Sequence, residues 1–266
     1  MPIAILSALP QEQHGLVQLL QAPITIRHAG RDFVQGQLPG QPDKTVILAL
    51  TGIGKVAAAM TATALIEHFG VGQLLFTGVA GGIGTSRTGA VHVGDIVVAQ
   101  HFVQHDFDAR PLLPRWQIPG HTAPLFACDK PMTDALLAAA QHCVLATHNW
   151  NLTLLGQHIP KVHTGLIASG DQFIVSAQTC ADIRNDLADA GHHTLAVEME
   201  GAAIAQVCAD YGVPFAAVRA ISDRADDSAH VDFCAFVDTV ASRYAKHIVE
   251  QWLERMLVDE MDSLIR

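Results

Sequence analysis

The sequence is poor in cysteine and in positive charge, and it contains no long hydrophobic run. Its five cysteines are dispersed and form no C-x-x-C pair, which argues against a disulfide framework or a cysteine-based zinc site and predicts free thiols in a reducing compartment. Lysine and arginine number 16 against 26 acidic residues, so no basic face for nucleic acid is expected. No apolar run approaches the roughly 20 residues of a membrane span, and no basic region precedes the apolar N-terminus. We therefore expect a cytoplasmic protein that binds neither membrane nor nucleic acid.

Short apolar runs alternate with longer amphipathic ones, a pattern typical of helices packed on a sheet. Strands are predicted at Ile3–Leu6, Asp32–Leu38, Thr45–Leu50, Leu74–Thr77, Asp95–Ala99, Val162–Ser169, Leu195–Met199 and Phe215–Ile221. Helices are predicted at about Pro10–Leu20, Gly54–Phe69, Pro131–Leu145, Cys180–Ala190, Glu200–Tyr211 and Asp232–Met256. The pattern predicts one α/β domain over residues 1–256.

Other segments lack this periodicity. Two glycine-rich stretches, at residues 51–55 and 78–84, follow buried strands and are predicted to be loops, but neither matches a Walker or dinucleotide-binding motif. Residues 108–127 contain four prolines and predict a long loop or flap, and an irregular insertion is expected near residues 148–160. The tail at residues 257–266 has no assigned role.

Carboxylates stand where predicted strands end. Glu12 follows the first strand, Glu198 and Glu200 close the strand at 195–199, and Asp223 follows the strand at 215–221. In open α/β sheets, ligands gather outside the strand ends. Any one of these residues could instead cap a helix. Three such positions together favour a functional site.

A histidine-rich segment suggests a metal site less strongly. His101, His105, Asp106 and Asp108 could act as ligands, but no second cluster with ligand spacing is evident, so a solvated loop is the better interpretation. We expect no metal. Phe173 fits either the core or an aromatic platform for a base, and periodicity does not decide between them.

The ordered motifs together resemble the 5′-methylthioadenosine/S-adenosylhomocysteine nucleosidases of the purine nucleoside phosphorylase/hydrolase superfamily. The motifs are Ser-Ala-Leu-Pro-Gln-Glu12, Thr51-Gly-Ile-Gly-Lys-Val-Ala-Ala-Ala59, Thr77-Gly-Val-Ala-Gly-Gly82, Val93-Gly-Asp-Ile-Val97, Gly165-Leu-Ile-Ala-Ser-Gly-Asp-Gln-Phe173, Ala196-Val-Glu-Met-Glu200 and Val218-Arg-Ala-Ile-Ser-Asp223. The resemblance covers nearly the whole chain. It implies a three-layer αβα fold with a central twisted mixed sheet, no cofactor, and a homodimer.

The resemblance also implies a role for each matching residue. Asp223 would protonate the purine at N7, helped by Ser222, and Glu12 would accept a proton from the attacking water. Glu200 would hold the ribose hydroxyls. The remaining implied substrate-binding residues are Ile53, Val79, Phe173, Ile174, Glu198, Met199 and Arg219. The implied reaction is hydrolysis of 5′-methylthioadenosine and S-adenosylhomocysteine to adenine and the thioribose sugar.

Departures from the family pattern leave alternatives open. Val79 stands where these nucleosidases commonly carry serine. The flap also lacks the sequence motif that is usual in these nucleosidases. Phe76 and Val79 are apolar where phosphorylases grip phosphate, which favours water over phosphate as the nucleophile. A phosphorylase, a nucleosidase for another 5′-substituted purine nucleoside, and a non-catalytic binding protein are the alternatives. Retention of both Glu12 and Asp223 argues against the last.

Overall fold

A ten-stranded mixed sheet runs through the chain. The computed structural model describes residues 1–85, 90–147, 150, 155, 158–226 and 229–265, without the side chains of residues 231 and 257–265. The strands are β1 (Ile3–Ser7), β2 (Gln21–His28), β3 (Arg31–Leu38), β4 (Gln41–Leu50), β5 (Gln73–Gly82), β6 (Ile96–Gln104), β7 (Leu125–Ala127), β8 (Val162–Ser169), β9 (Thr194–Glu198) and β10 (Phe215–Asp223). The helices are α1 (Pro10–Gln13), α2 (Lys55–Glu67), α3 (Lys130–Thr147), α4 (Ala177–Asp189), α5 (Gly201–Tyr211), α6 (Ala229–Phe236) and α7 (Ser242–Ile265).

The strand pairings close part of the sheet on itself. The order is β10-β6-β8-β9-β5-β1-β4-β3-β2, with β7 on β6, and β10 also pairs with β5. Five strands, β5, β9, β8, β6 and β10, therefore form a ring, while β1, β4, β3 and β2 extend from β5. Because β10 pairs in parallel with β5 and antiparallel with β6, both of its edges are hydrogen-bonded.

Side chains from successive strand positions enter two separate cores. On β1, Ile3 and Ile5 belong to one core, and Ala4 and Leu6 belong to the other. Helices α3 and α7 cover the first face of the sheet, and α2 and α5 cover the second. Burial on both faces explains why this strand reads as an uninterrupted apolar run. The predicted three-layer αβα fold is confirmed.

Two predicted elements are wrong in their extent. The expected helix from Pro10 to Leu20 ends after Gln13, because Gly15 adopts a φ of +88° that a helix does not accommodate, and only a 3₁₀ turn follows at Val17–Leu19. The glycine-rich stretch at 78–84 was expected to be a loop, but β5 continues through it to Gly82.

The sequence pattern also missed two strands, β2 and β7, and predicted one helix where the structure has two. Strand β2 is mostly exposed, contains Pro23 and pairs only with β3, so it lacks the apolar pattern of a central strand. The expected helix at Asp232–Met256 is α6 and α7, joined by a π-helical segment at Val237–Ala241.

The remaining expectations concern loops and the chain's ends. Residues 108–124 carry no helix or strand, as expected of the flap, but the last three residues of the predicted loop form strand β7, which pairs with β6. Trp116 and Ile118 within it are buried in their own chain, whereas Leu112 is 86% exposed. The insertion expected at 148–160 lies largely outside the described residues. Within the described part of the chain, no helix combines the length and hydropathy needed to span a membrane.

Candidate active site

A cleft with about 480 Å³ of empty space, continuous with solvent, lies beyond the carboxyl ends of β1, β9 and β10. It is lined by Ala8, Leu9, Glu12, Ile53, Val79, Ala80, Gly81, Phe173, Val197, Glu198, Met199, Glu200, Ser222, Asp223 and Phe233. Every carboxylate that the sequence placed at a strand end therefore faces the same space.

Most of the predicted site residues line this cleft, with two exceptions. Ile174 lines an adjoining recess of about 240 Å³ that shares Phe173 and Asp223 with the main cleft. Arg219 lies behind the lining, where it pairs with Glu198. Phe76, expected to line the nucleophile's side, is instead fully buried in the core beneath Arg219.

The sequence analysis did not identify Phe233, a second aromatic residue in the lining of the cleft. Phe233 on α6 lines the cleft, and its ring centroid lies 5.4 Å from that of Phe173 in an edge-to-face arrangement. Nothing in the periodicity distinguished Phe233 from an ordinary core position of a helix, because only the packing of α6 over β10 brings it to the cleft. The pair places Phe173, which is 38% exposed, at the cleft wall and not in the core.

Glu12 is buried and held by three backbone donors. The N–H groups of Ala8 and Leu9 each donate to its Oε2 at 2.8 Å, and the N–H of Val79 donates to its Oε1 at 3.0 Å. The pKa of Glu12 is raised, because the effect of burial is larger than the opposing effects of the Arg219 charge and these hydrogen bonds. The carboxylate is thus fixed in orientation, and positive charge and N–H dipoles surround it.

Asp223 has a different environment. Ser222 donates its hydroxyl to Oδ2 at 2.8 Å, and the N–H of Ala225 donates to Oδ1 at 2.8 Å. Burial raises the pKa of Asp223, these two hydrogen bonds lower it, and the negative charges of Asp232 and Asp226 raise it further. The N–H of Ala225 can only donate, so Oδ1 remains an acceptor, whereas the Ser222 hydroxyl can turn toward the Ala80 carbonyl and accept from a proton on Oδ2. This environment favours the protonated acid.

Missing side chains on β5 make room for both carboxylates. A Cβ at Gly78 would lie 2.7 Å from Glu12 Oε1 and 2.9 Å from an Arg219 nitrogen. A Cβ at Gly81 would lie 2.9 Å from Asp223 Oδ1. The glycines that the sequence suggested for turns therefore serve close approach within a strand.

Glu198 organises the floor of the cleft. Its carboxylate accepts hydrogen bonds from the Ser169 hydroxyl, from the N–H of Gly201 at 2.9 Å and from Arg219 at 2.8 Å. The guanidinium carbon of Arg219 lies 3.6 Å from the centroid of the Phe76 ring. Both charged partners are buried and each has additional contacts, which a buried ion pair requires.

Glu200 is tied to the glycine-rich turn before α2. The N–H of Gly54 donates to Glu200 Oε1 at 2.7 Å, and the next N–H, of Lys55, donates to Asp171 Oδ1 at 2.7 Å. Lys55 Nζ pairs with Asp106 at 2.5 Å. Asp106 itself is exposed in the turn after β6, as expected of a solvated loop. Burial raises the pKa of Glu200 to about 8, and the neighbouring Glu198 contributes in the same direction.

Comparisons with known proteins agree with this geometry. A family profile described as the phosphorylase superfamily matches residues 2–254. The chain belongs to the phosphorylase superfamily. It is 36% identical to a 5′-methylthioadenosine/S-adenosylhomocysteine nucleosidase from Aeromonas salmonicida, over 94% of this chain and 98% of the relative. The nucleosidase family expected from the motifs is thus confirmed.

Two solved structures share the superfamily fold over nearly their full lengths. A nucleosidase of the same description from Neisseria meningitidis, in complex with methylthio-immucillin-A, has a TM-score of 0.80 and 30% identity, covering 96% of this chain and 99% of that one. A futalosine hydrolase from Helicobacter pylori has a TM-score of 0.80 and 31% identity, covering 96% and 98%.

Gly78→Ala tests whether the space left by the missing side chain at Gly78 positions Glu12. The added methyl must displace Glu12 or Arg219, so we expect kcat to fall, by up to about 10²-fold for a displacement approaching 1 Å. The added methyl also overpacks the site, which should lower the free energy of unfolding by about 1–3 kcal/mol. Steady-state kinetics measure the change in kcat, and urea unfolding measures the change in stability.

Gly165→Ala on β8 is the matched control, because its Cβ would meet only Leu195, at 2.7 Å. We expect it to lose stability while keeping kcat. Equal kcat in the two folded variants would show that the gap at Gly78 does not position Glu12.

Glu200→Gln tests the raised pKa. Between the ordinary glutamate pKa of 4.5 and about 8, folded Glu200 holds a proton that the unfolded chain has lost. Its contribution to stability therefore falls as the pH rises through this window, by at most about 1.4 kcal/mol per pH unit. The glutamine has no such proton, so we expect Glu200→Gln to gain stability relative to the parent protein as the pH rises.

Urea unfolding at several pH values within that window measures the difference. Glu250→Gln, which alters an exposed carboxylate on α7, should keep the parental pH dependence. If Glu200→Gln also keeps it, the pKa of Glu200 is not raised.

Proposed function

We propose that this chain hydrolyses the N-glycosidic bond of 5′-methylthioadenosine and S-adenosylhomocysteine, releasing adenine and the thioribose sugar. One observation carries the proposal: Glu12, Glu200 and Asp223, from three separate segments, line a single cleft and all have raised pKa values. Clustered carboxyl groups with shifted pKa values are typical of acid–base sites. The relatives described as nucleosidases give the substrate class.

Departure of the base requires an acid. In the proposed reaction the C1′–N9 bond breaks, its electrons pass to the purine, and Asp223 donates the Oδ2 proton to N7, so that adenine leaves as a neutral molecule. Burial and the nearby carboxylates raise the pKa of Asp223, which favours its protonated form. Phe173 would stack on the purine, and the backbone of Ile174 in the adjoining recess would contact its edge.

Attack on the sugar requires a base. Water adds to C1′ and gives its proton to Glu12, whose carboxylate the N–H groups of Ala8, Leu9 and Val79 hold in place. Glu200 would accept hydrogen bonds from the ribose hydroxyls, and Met199 would lie beside the sugar. The positive charge that develops on the ring favours ionisation of Glu200. Each proton transfer contributes typically about 10²–10⁴-fold.

The lining favours water over phosphate as the nucleophile. None of the described residues that line the cleft is lysine or arginine, and the nearby Arg219 is already paired with Glu198. A phosphate dianion would therefore enter a buried, acidic and largely apolar space without a partner charge.

Adenine release in phosphate-free buffer tests the proposal. We expect full turnover of 5′-methylthioadenosine without phosphate, and a loss of kcat of about 10²–10⁴-fold in Asp223→Asn, because the amide cannot donate an acidic proton. Chromatographic assay of adenine measures both.

The exposed Asp189 at the end of α4 provides the control, and Asp189→Asn should remain fully active. Turnover that depends on added phosphate would support a phosphorylase instead, and an active Asp223→Asn would remove Asp223 as the acid.

Hydrolysis of futalosine is a second candidate, because the Helicobacter pylori structure resembles this chain as closely as the Neisseria meningitidis one does. The apolar rim formed by Leu9, Ile53 and Phe233 suits a thioether at the 5′-position better than a polar group. We expect kcat/KM to be higher for 5′-methylthioadenosine and S-adenosylhomocysteine than for futalosine. A panel of the three substrates measures it, and the reverse order would favour the second candidate.

We further propose a homodimer in the cytoplasm, as the family resemblance implies. Exposed apolar residues next to the cleft support the dimer: Ile53 is 60% exposed, and Val56 and Met60 lie one turn apart on α2 with 72% and 50% exposure. A partner subunit covering them would shield the open side of the cleft. Light scattering in solution tests this assembly.

A further inference from the structure

A second group of chemically active side chains lies outside the cleft. His92 and Asp95 stand in the turn before β6, and His158 and His163 stand before and within β8. Asp95 Oδ1 lies 2.8 Å from His158 Nε2, and Asp95 Oδ2 lies 3.0 Å from His163 Nε2. One ligand atom from each of His92, Asp95 and His158 lies within 4.8 Å of the other two. None of these residues lines the cleft.

Asp95 supplies a fixed negative charge at the centre of the group. It is fully buried, and it also accepts the N–H groups of His92 at 3.0 Å and Lys161 at 2.8 Å. Burial would raise its pKa, but the hydrogen bonds from His163, His158 and the backbone lower it to about 2. The aspartate is therefore ionised and rigidly oriented at neutral pH.

The third imidazole is not part of this hydrogen-bond network. His92 Nδ1 lies 3.7 Å from Asp95 Oδ2, too far for a hydrogen bond. Two ligands bound to one tetrahedral Zn²⁺ at about 2.0–2.1 Å are separated by roughly 3.3 Å. The distances to Asp95 of 2.8 Å from His158 and 3.7 Å from His92 lie on either side of that value, and the ligand atoms of all three residues lie within 4.8 Å of one another, so side-chain rotations would bring them around one ion.

We propose that His92, Asp95 and His158 form a Zn²⁺ site, with water as the fourth ligand and the hydrogen bond from His163 holding Asp95 in place. Imidazole and carboxylate are ligands that zinc accepts, and on binding each coordinating nitrogen gives up its proton to the other ring nitrogen or to solvent. His92 and Asp95 have the short spacing His-x₂-Asp, which is similar to the ligand spacing of many zinc sites.

The site is accessible and joins separate segments. The side chains of His92, His158 and His163 are 60%, 27% and 19% exposed, so an ion reaches them from solvent without unfolding. The Asp95 carbonyl accepts the N–H of Ile221 at 2.8 Å, and the N–H of Gly94 donates to the Ile221 carbonyl at 2.8 Å. Bound zinc would therefore link the β6 turn, the start of β8 and the β10 strand.

Titration of untagged, chelator-treated protein with Zn²⁺ tests the site. Calorimetry should give one tight equivalent per chain, and Co²⁺ in place of Zn²⁺ should give the visible absorption of a tetrahedral ion. Because zinc would bind the folded form, the melting temperature should rise with zinc concentration. No stoichiometric uptake, or an octahedral Co²⁺ spectrum, would overturn the proposal.

Two variants separate ligation from folding. His92→Ala removes an exposed ring, and His158→Gln keeps a donor to Asp95 while removing the imidazole. Each should remain folded and lose the tight equivalent. The control is His142→Ala, since His142 and His247 form another imidazole pair, with ring nitrogens 3.0 Å apart. If His142→Ala abolishes binding and the other two variants do not, the zinc binds at the surface pair and the proposed site is wrong.

Discussion

The close approach of two carboxylates to strand β5 is the constraint on which the site depends. Glu12 comes from the chain after β1 and Asp223 from the end of β10, and each occupies space that a side chain at Gly78 or Gly81 would fill. Since β5 pairs with β1, β9 and β10, the strand that leaves this space also fixes the elements that carry the acids. Architecture and chemistry are therefore set by the same ten residues.

Electrostatics divides the roles of the two carboxyl groups. Both are buried, which alone would keep both neutral. Glu12 receives three backbone N–H groups and faces Arg219, whereas Asp223 receives one N–H and one hydroxyl and faces two further carboxylates. Arg219 contributes to this difference from behind the lining, where Glu198 and the Phe76 ring hold it. The proposed base and the proposed acid thus differ in their neighbours and not in their burial.

Much of the fold and most of the cleft could be predicted from the sequence, for identifiable reasons. Buried strands are recognisable as apolar runs, and the acids that follow β1 and end β10 converge because both strands run parallel to β5 and end at the same edge of the sheet. What failed depended on non-local contacts: the exposed strand β2, the continuation of β5 through its glycines, and Phe233, which reaches the cleft only through the packing of α6. The group of His92, Asp95 and His158 could likewise not be found from sequence spacing, because His92 and His158 are neighbours only in the fold.

The closed ring of five strands has a consequence for how such a protein diversifies. In the proposed reaction, the reactive end of the substrate would lie against β10, a strand with hydrogen bonds along both edges. The far end would meet Ile53 and Phe233, which lie on a turn and a short helix outside that ring. Substitutions there carry no cost in strand pairing. Substitutions at the rim can therefore change which substrates bind, while the residues proposed for bond cleavage stay the same.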